Sequence, residues 1–359
     1  MRRKYISVSN RKKELALKRF RFFYQEIVWG FLIIFVFLLA PFFILSLILE
    51  ETSPLYSVLL NSLRAFLVLV GVLLLFPLSN LLFESRKRNV IIEEDISPAK
   101  GLLMLYKMSN KNYKYQILYG LLIFFLVFLP TGFFSFLLAP KMLEYQSITR
   151  PASDVYLQSG TSYILFLTSA IIIQFSVALT EETISRGLLT KRGSEHFFSM
   201  SAVMISAFYF GFGHLAYFLN PISRLYPIWI PFVWFLQAFI IGIVLSLFVL
   251  RKRWIFPVII AHTLNNVVAT HAIWSFNNGI DFSVVALYLY CPLLIIGLVL
   301  FIWQFTKIKE SVSIGFKMLK SYFQRDDPNE DTKGDLVFRI FIDIVMGIII
   351  FLMSFMTMI

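Results

Sequence analysis

A chain of 359 residues that is 58% hydrophobic and 15% charged, with a mean hydropathy of +0.76, lies outside the balance of soluble globular enzymes. Its formal net charge of +12 would suit nucleic acid, but the basic residues flank apolar runs long enough to cross a bilayer. There they mark a membrane face and touch anionic lipid, so the expected partners are the lipid bilayer and what it carries, not nucleic acid.

In chain order, residues 1–26 form a basic segment with nine Lys/Arg, expected on the cytoplasmic side. The apolar run over 27–49 is too long for the core of a cleaved secretory signal and reads as an uncleaved anchor. Further spans are predicted near 56–82, 115–138, 163–189, 200–218, 227–249, 254–274, 282–304 and 337–359. The expected fold is thus all-α, a polytopic transmembrane bundle of about eight to nine spans. It divides into the N-terminal segment, a membrane region over 27–160, a core over 161–275 and a C-terminal membrane region over 276–359. With the N-terminus inside, 27 Lys/Arg fall on the inner face, against Lys141, Arg150 and Arg224 outside.

Between the spans, 84–114 mixes charges with Ile and Leu and predicts an interfacial helix, whereas 324–335 (QRDDPNEDTKGD) is polar and reads as a mobile loop. Arg339 and Asp343 stand four apart on the last span, a spacing that predicts a pair across one turn. Arg64 lies inside the second span with no role assigned. The single Cys291 excludes an internal disulfide and reads as a buried small hydrophobe.

Ionisable groups are costly in a bilayer and persist there for a task. Glu181 and Glu182 occur in ALTEETISRGLL, His214 in FGFGHLAYF, and His262 with Asn266 in AHTLNNVV. The pairs Glu182/Arg186, Phe210/His214 and His262/Asn266 share a four-residue spacing, which puts each pair on one helix face. Glu181 lies ~100° round from Glu182, so Glu182 is free to neutralise Arg186 while Glu181 serves elsewhere. Counting from the charged span ends at 1.5 Å per residue, Glu181 and His262 lie ~15 Å from the inner interface and His214 ~20 Å, all in the central part of the membrane. The set suits water activation by a carboxylate and an imidazole, with His262 and Asn266 as donors to an oxyanion. It also suits a divalent metal such as zinc on Glu181, His214 and His262, and the residues alone leave both readings open.

Phe210 alone reads as packing, Gly211 and Gly213 as a close-packing or kink site, and His196 and His271 as structural histidines. There is no HExxH motif, Ser162 lacks a nucleophile-elbow setting, and Gly334-Asp335 has no partner for an intramembrane aspartyl pair.

Glu181-Glu182-Thr-Ile-Ser-Arg186, Phe210-Gly-Phe-Gly-His214 and His262-Thr-Leu-Asn-Asn266 reproduce, in order, the blocks EExxxR, FxxxH and HxxxN. Over about 161–270 the chain resembles the CPBP (Abi, or CAAX-protease-like) family of intramembrane proteases. That family includes the type II CAAX prenyl endopeptidase and bacterial lysostaphin-resistance-type proteins. The resemblance implies an intramembrane peptidase acting on a membrane-associated peptide or protein. It assigns Glu181 as general base, His214 to the attacking water, His262 and Asn266 to the oxyanion site, and Glu182 and Arg186 to stabilising the pocket. Such families are commonly labelled metalloproteases, and a metal-free glutamate mechanism is argued for them as well. A non-catalytic scaffold or bacteriocin-immunity-type protein on the same fold is the alternative of a different class. A transporter ranks last, because the chain shows neither repeated halves nor paired broken helices. Phe-, Ile- and Lys-rich usage points to a bacterial cell membrane.

Overall fold

The structure is a computed structural model that describes residues 8–30, 32, 43–84, 102–150, 154–325 and 331–356. We label α1 Val8–Phe22, prolonged by a π-helical turn over Phe23–Val28, and then α2 Pro54–Glu84. Next come α3 Tyr113–Leu138, α4 Pro140–Ile148, α5 Tyr163–His196 and α6 Ser199–Leu215. The chain closes with α7 Trp229–Lys252, α8 Phe256–Asn277, α9 Phe282–Tyr322 and α10 Lys333–Met356. No strand occurs among the described residues, and eight helices are long and apolar enough to cross a membrane. The protein is an all-α, multi-pass helix bundle. Residues 31 and 33–42 of the run predicted as a first span, 27–49, lie outside the described residues, as do 85–101 of the predicted interfacial helix.

An all-helical answer follows from the solvent, since in hydrocarbon every backbone N–H and C=O must be satisfied within its own segment. The lipid-facing sides are correspondingly apolar, as at Ile295, Val299 and Ile302 on α9. Where helices meet, small residues let them approach. A methyl group on Gly242 of α7 would lie 3.1 Å from the Cα of Ala207 on α6, and one on Gly211 would meet the Phe235 ring at 3.0 Å. Cys291 on α9 is half-buried, not buried, because α9 lies at the edge of the bundle.

Helix α8 packs on both α5 and α3, α6 packs on α7, α10 and the lower part of α5, and α2 packs along α5. The sharp return from α7 into α8 is made by Arg253, whose φ of 55° and ψ of 36° place it in the left-handed region that ends a helix abruptly. Pro257 in the first turn of α8 has no N–H to leave unpaired there.

Asp343 does not pair with Arg339. It accepts from Arg19 Nε of α1 at 2.6 Å and from the Tyr322 hydroxyl at 3.1 Å, while Arg339 donates to the carbonyls of Tyr322 and Gln324 at the end of α9. The helix C-terminus offers unpaired carbonyls that draw the guanidinium across, leaving the carboxylate to another helix. The described ends of the polar stretch 324–335 are anchored: Asp331 accepts from Arg11 Nε at 2.8 Å, and Asp335 receives the Thr332 backbone N–H at 2.9 Å. Residues 326–330 of the stretch read as a mobile loop lie outside the described residues, and the part from 331 onward is held by these bonds.

Candidate active site

Just after Glu182 the regular helix of α5 gives way to a ten-residue π-helical stretch, Thr183–Arg192. Its wider turn, bonded from i to i+5, changes the phase of the helix, a feature that recurs at functional sites. Arg186 stands under Glu182, with Nε 3.0 Å from Oε2 and both side chains fully buried. The contact has ion-pair distance without hydrogen-bond alignment, and none of the guanidinium nitrogens has a hydrogen-bond partner. The guanidinium instead lies 4.5 Å from the centre of the Phe210 ring, a cation–π contact that gives the buried charge a second stabilising neighbour.

The other oxygen of Glu182 accepts from His262 Nδ1 at 2.8 Å. This bond orients the imidazole and directs Nε2 outward, where it stands 3.7 Å from Glu181 Oε2. The two neighbouring glutamates thus have opposite surroundings. Glu182 is fully enclosed between Arg186 and His262, whereas the Glu181 side chain is 41% exposed toward a cavity of about 500 Å³. Phe128 of α3 stacks on the His262 ring at 5.7 Å, and Phe210 meets it edge-on at 5.8 Å, so packing holds the imidazole as well as hydrogen bonding.

His214 lines the same cavity. Its Nδ1 lies 2.9 Å from the Phe210 carbonyl, an acceptor only, so Nδ1 carries a proton and, in the neutral ring, Nε2 is the lone-pair nitrogen. The ring is held edge-on by Phe210 at 5.0 Å and Trp234 at 5.3 Å. Asn266 Oδ1 accepts from Asn265 Nδ2 at 3.2 Å, which leaves the two N–H bonds of the Asn266 carboxamide available to the cavity.

The structure therefore brings Glu181, Phe210, His214, His262 and Asn266 to one cavity and puts Glu182 and Arg186 immediately behind it. Gly211 is a close-packing position, and Gly213 has open space around its α-carbon. His196 is bound to Glu26 at 3.1 Å and His271 sits among Tyr163, Phe166 and Trp274. Ser162 caps α5, and its Oγ accepts from the Leu165 N–H. Among the described residues no three His, Cys, Asp or Glu side chains are grouped as a metal's ligand set. His262 Nδ1 is committed to Glu182 and Glu182 to Arg186, which leaves His262 Nε2, Glu181 and His214 as the donors that face the cavity.

Residues not singled out for the site complete its walls. Gln174 of α5 and Gln237 of α7 line the cavity, where Gln237 donates to the Thr131 carbonyl at 3.2 Å and Gln174 to the Tyr156 hydroxyl at 3.2 Å. Asn265 and Arg64 line it too. Gln174 and Glu181 are seven apart, two helical turns on one face, a signal present in the sequence.

No curated protein and no solved structure matches the chain. A family model does: residues 163–268 match the type II CAAX prenyl endopeptidase Rce1-like model, and Glu181, His214, His262 and Asn266 all fall inside that stretch. The chain is thus a multi-pass membrane protein whose residues 163–268 match the Rce1-like model of the CAAX-protease-like family.

Proposed function

We propose that the protein is an intramembrane endopeptidase that hydrolyses a peptide bond of a membrane-associated peptide or protein with water activated by Glu181. The observation that carries this reading is the inequality of the two glutamates. One is locked between Arg186 and His262, and its neighbour is left free at the cavity wall.

In the proposed reaction, a water held between Glu181 and the Nε2 lone pair of His214 gives its proton to the Glu181 carboxylate as its oxygen bonds to the substrate carbonyl carbon. The carbonyl π bond opens to an oxyanion, which takes hydrogen bonds from the Asn266 carboxamide and from His262 Nε2. In that role His262 donates from Nδ1 to Glu182 and from Nε2 to the oxyanion, with a proton on each nitrogen. Collapse of the oxyanion breaks the C–N bond, and the Glu181 proton passes to the leaving amine. Both atoms of the water's cleaved O–H bond are thus accounted for, and the glutamate is regenerated. The basic face, with 27 Lys/Arg, is assigned to the cytoplasm of a bacterial cell.

The test compares membrane peptides from cells carrying the intact chain or Glu181→Ala. Loss of a carboxylate base removes about 10²–10⁴-fold in rate, enough to leave its substrate uncut. Specific fragments should vanish in the variant while protein level and insertion are unchanged. Their persistence overturns the assignment. Purified protein dialysed against a chelator should keep its cleavage rate; loss restored by zinc would favour the metal alternative instead.

A further inference from the structure

Helix α2 lies outside the family-matched stretch, yet it lays a polar stripe against the cavity. Ser57, Asn61 and Arg64 fall at i, i+4 and i+7, one face of a helix, and all three line the cavity opposite Gln174 and Glu181. Arg64 lies ten residues into α2, about 15 Å along its axis, so a cation that never loses its charge stands near mid-membrane. Such a group is normally paired or bonded to backbone carbonyls. Asn61 follows that rule and donates to the Ser57 carbonyl at 2.8 Å.

Arg64 does not. The other arginines inside the described spans are anchored: Arg186 by Glu182, Arg192 by Glu26, Arg251 by the Ser311 carbonyl, and Arg339 by the carbonyls ending α9. No ion pair within 4.0 Å and no hydrogen bond joins Arg64 to any described residue, and it is half-buried with its side chain at the cavity wall. The formal charges lining the cavity are Arg64 and Arg150 against Asp154 and Glu181. Glu181 faces the same space as Arg64 but lies beyond ion-pair distance and already stands beside His262.

We propose that Arg64 is a carboxylate-binding subsite, which selects peptides that carry a carboxylate within reach of the bond held over Glu181. A guanidinium is the side chain fitted to a carboxylate, through two parallel N–H···O bonds. The carboxylate could come from the peptide's own C-terminus or from an Asp or Glu side chain. The inference rests on the peptidase reading for the identity of the ligand as a peptide, but its test reads binding and not cleavage.

The full chain carrying Glu181→Gln is immobilised in detergent micelles and offered three pools of acylated hexapeptides of randomised sequence. One pool has a free C-terminal acid and no Asp or Glu, one has a C-terminal amide and no Asp or Glu, and one has a C-terminal amide and a single Asp or Glu. At least one carboxylate-bearing pool should be retained about tenfold or more above the neutral pool, the increment of a hydrogen-bonded charge pair. Whichever pool is enriched identifies the source. Arg64→Gln should level the pools and Arg64→Lys should restore part of the preference. Equal retention of all three pools by the parent protein overturns the proposal, and this comparison needs no Arg64 variant to fold. A preference that survives in folded Arg64→Gln overturns it as well, and would leave Arg64 as a counter-charge to Glu181. Because the parent here lacks Glu181, a preference seen without cleavage by the intact enzyme would sink the peptidase reading and spare the subsite.

Discussion

Two buried ion clusters in this molecule solve the same electrostatic problem differently. At the basic end, Arg19 donates to Asp343 at 2.6 Å, to the Leu15 carbonyl at 3.1 Å and to the Ser201 hydroxyl at 2.9 Å, and Asp343 also accepts from Tyr322. All three guanidinium nitrogens have an acceptor. In the core, Arg186 has one carboxylate and an aromatic ring, no hydrogen bonds, and a second carboxylate nearby that it does not capture. A closed network fixes helices α1, α6 and α10 to one another. An incompletely bonded one, set beside a cavity, keeps Glu181 and His262 oriented without consuming them, which is how a site differs from a staple.

The strongest way to break this contrast is Glu182→Gln. The amide oxygen still accepts from His262, but Arg186 is left as a buried charge without a counter-ion, a loss of about 3–5 kcal/mol. Denaturant unfolding in mixed micelles should show that loss, together with a fall in cleavage. The double variant Glu182→Gln/Arg186→Met, which removes both charges, should recover much of the stability and none of the activity. Unchanged stability in the single variant would mean that the pair is not the anchor it is taken for.

Asp343→Asn probes the other cluster. Arg19 keeps Leu15 and Ser201, so we expect a smaller cost of about 1.5–3 kcal/mol. The same unfolding measurement should detect it while the cleavage rate of the folded fraction stays at the parent value. A variant that is stable but inactive would erase the distinction between site and staple.

The line between these clusters was only partly legible in the sequence. Charges inside apolar runs singled out Glu181, His214 and His262, which share one cavity wall, and helical phase separated Glu181 from Glu182, because both signals depend on local sequence. The partner of Asp343 was not legible. Its four-residue neighbour Arg339 was the local candidate, and the choice of Arg19, 324 positions away, depends on tertiary packing. The same holds for Arg64, whose place at the cavity needs α2 laid against α5. The π-helical stretch after Glu182 leaves no compositional mark, whereas the Glu182/Arg186 pair beside it was legible from its four-residue spacing. Phe210 read as packing when taken alone. Its ring under Arg186 is a contact that spacing along one helix does not reveal.

Phe210→Leu sharpens the comparison at that contact. Leucine keeps most of the apolar volume but offers no π face, so Arg186 loses a contribution of about 1–2 kcal/mol, and His214 and His262 each lose an edge-on ring. The expected result is a modest drop in stability with a drop in kcat and little change in KM, since substrate binding elsewhere in the cavity is untouched. Phe210→Trp, which preserves a π face, should lose less if the cavity admits the larger ring.

The smallest expected effect comes from a third cluster, where α1 docks on the end of α5. Glu26 pairs with Arg192, which also holds Glu195, and accepts from His196 Nε2 at 3.1 Å. Burial raises the carboxyl's affinity for a proton, but the His196 hydrogen bond and the Arg192 charge outweigh it and hold the group below the usual carboxylate range. A carboxylate depressed by folding adds stability that is fully present above its unfolded pKa and is lost as the pH falls through its folded one. Docking of α1 should therefore hold at neutral pH and weaken only below the ordinary carboxylate range. Hydrogen exchange of the α1 amides, corrected for intrinsic rates, should show protection falling there in the parent. In Glu26→Gln protection should be lower at neutral pH and nearly flat in acid. If the two profiles coincide, Glu26 contributes nothing to docking, and the described ion pairs that hold α1 to other helices reduce to Arg19 with Asp343 and Arg11 with Asp331.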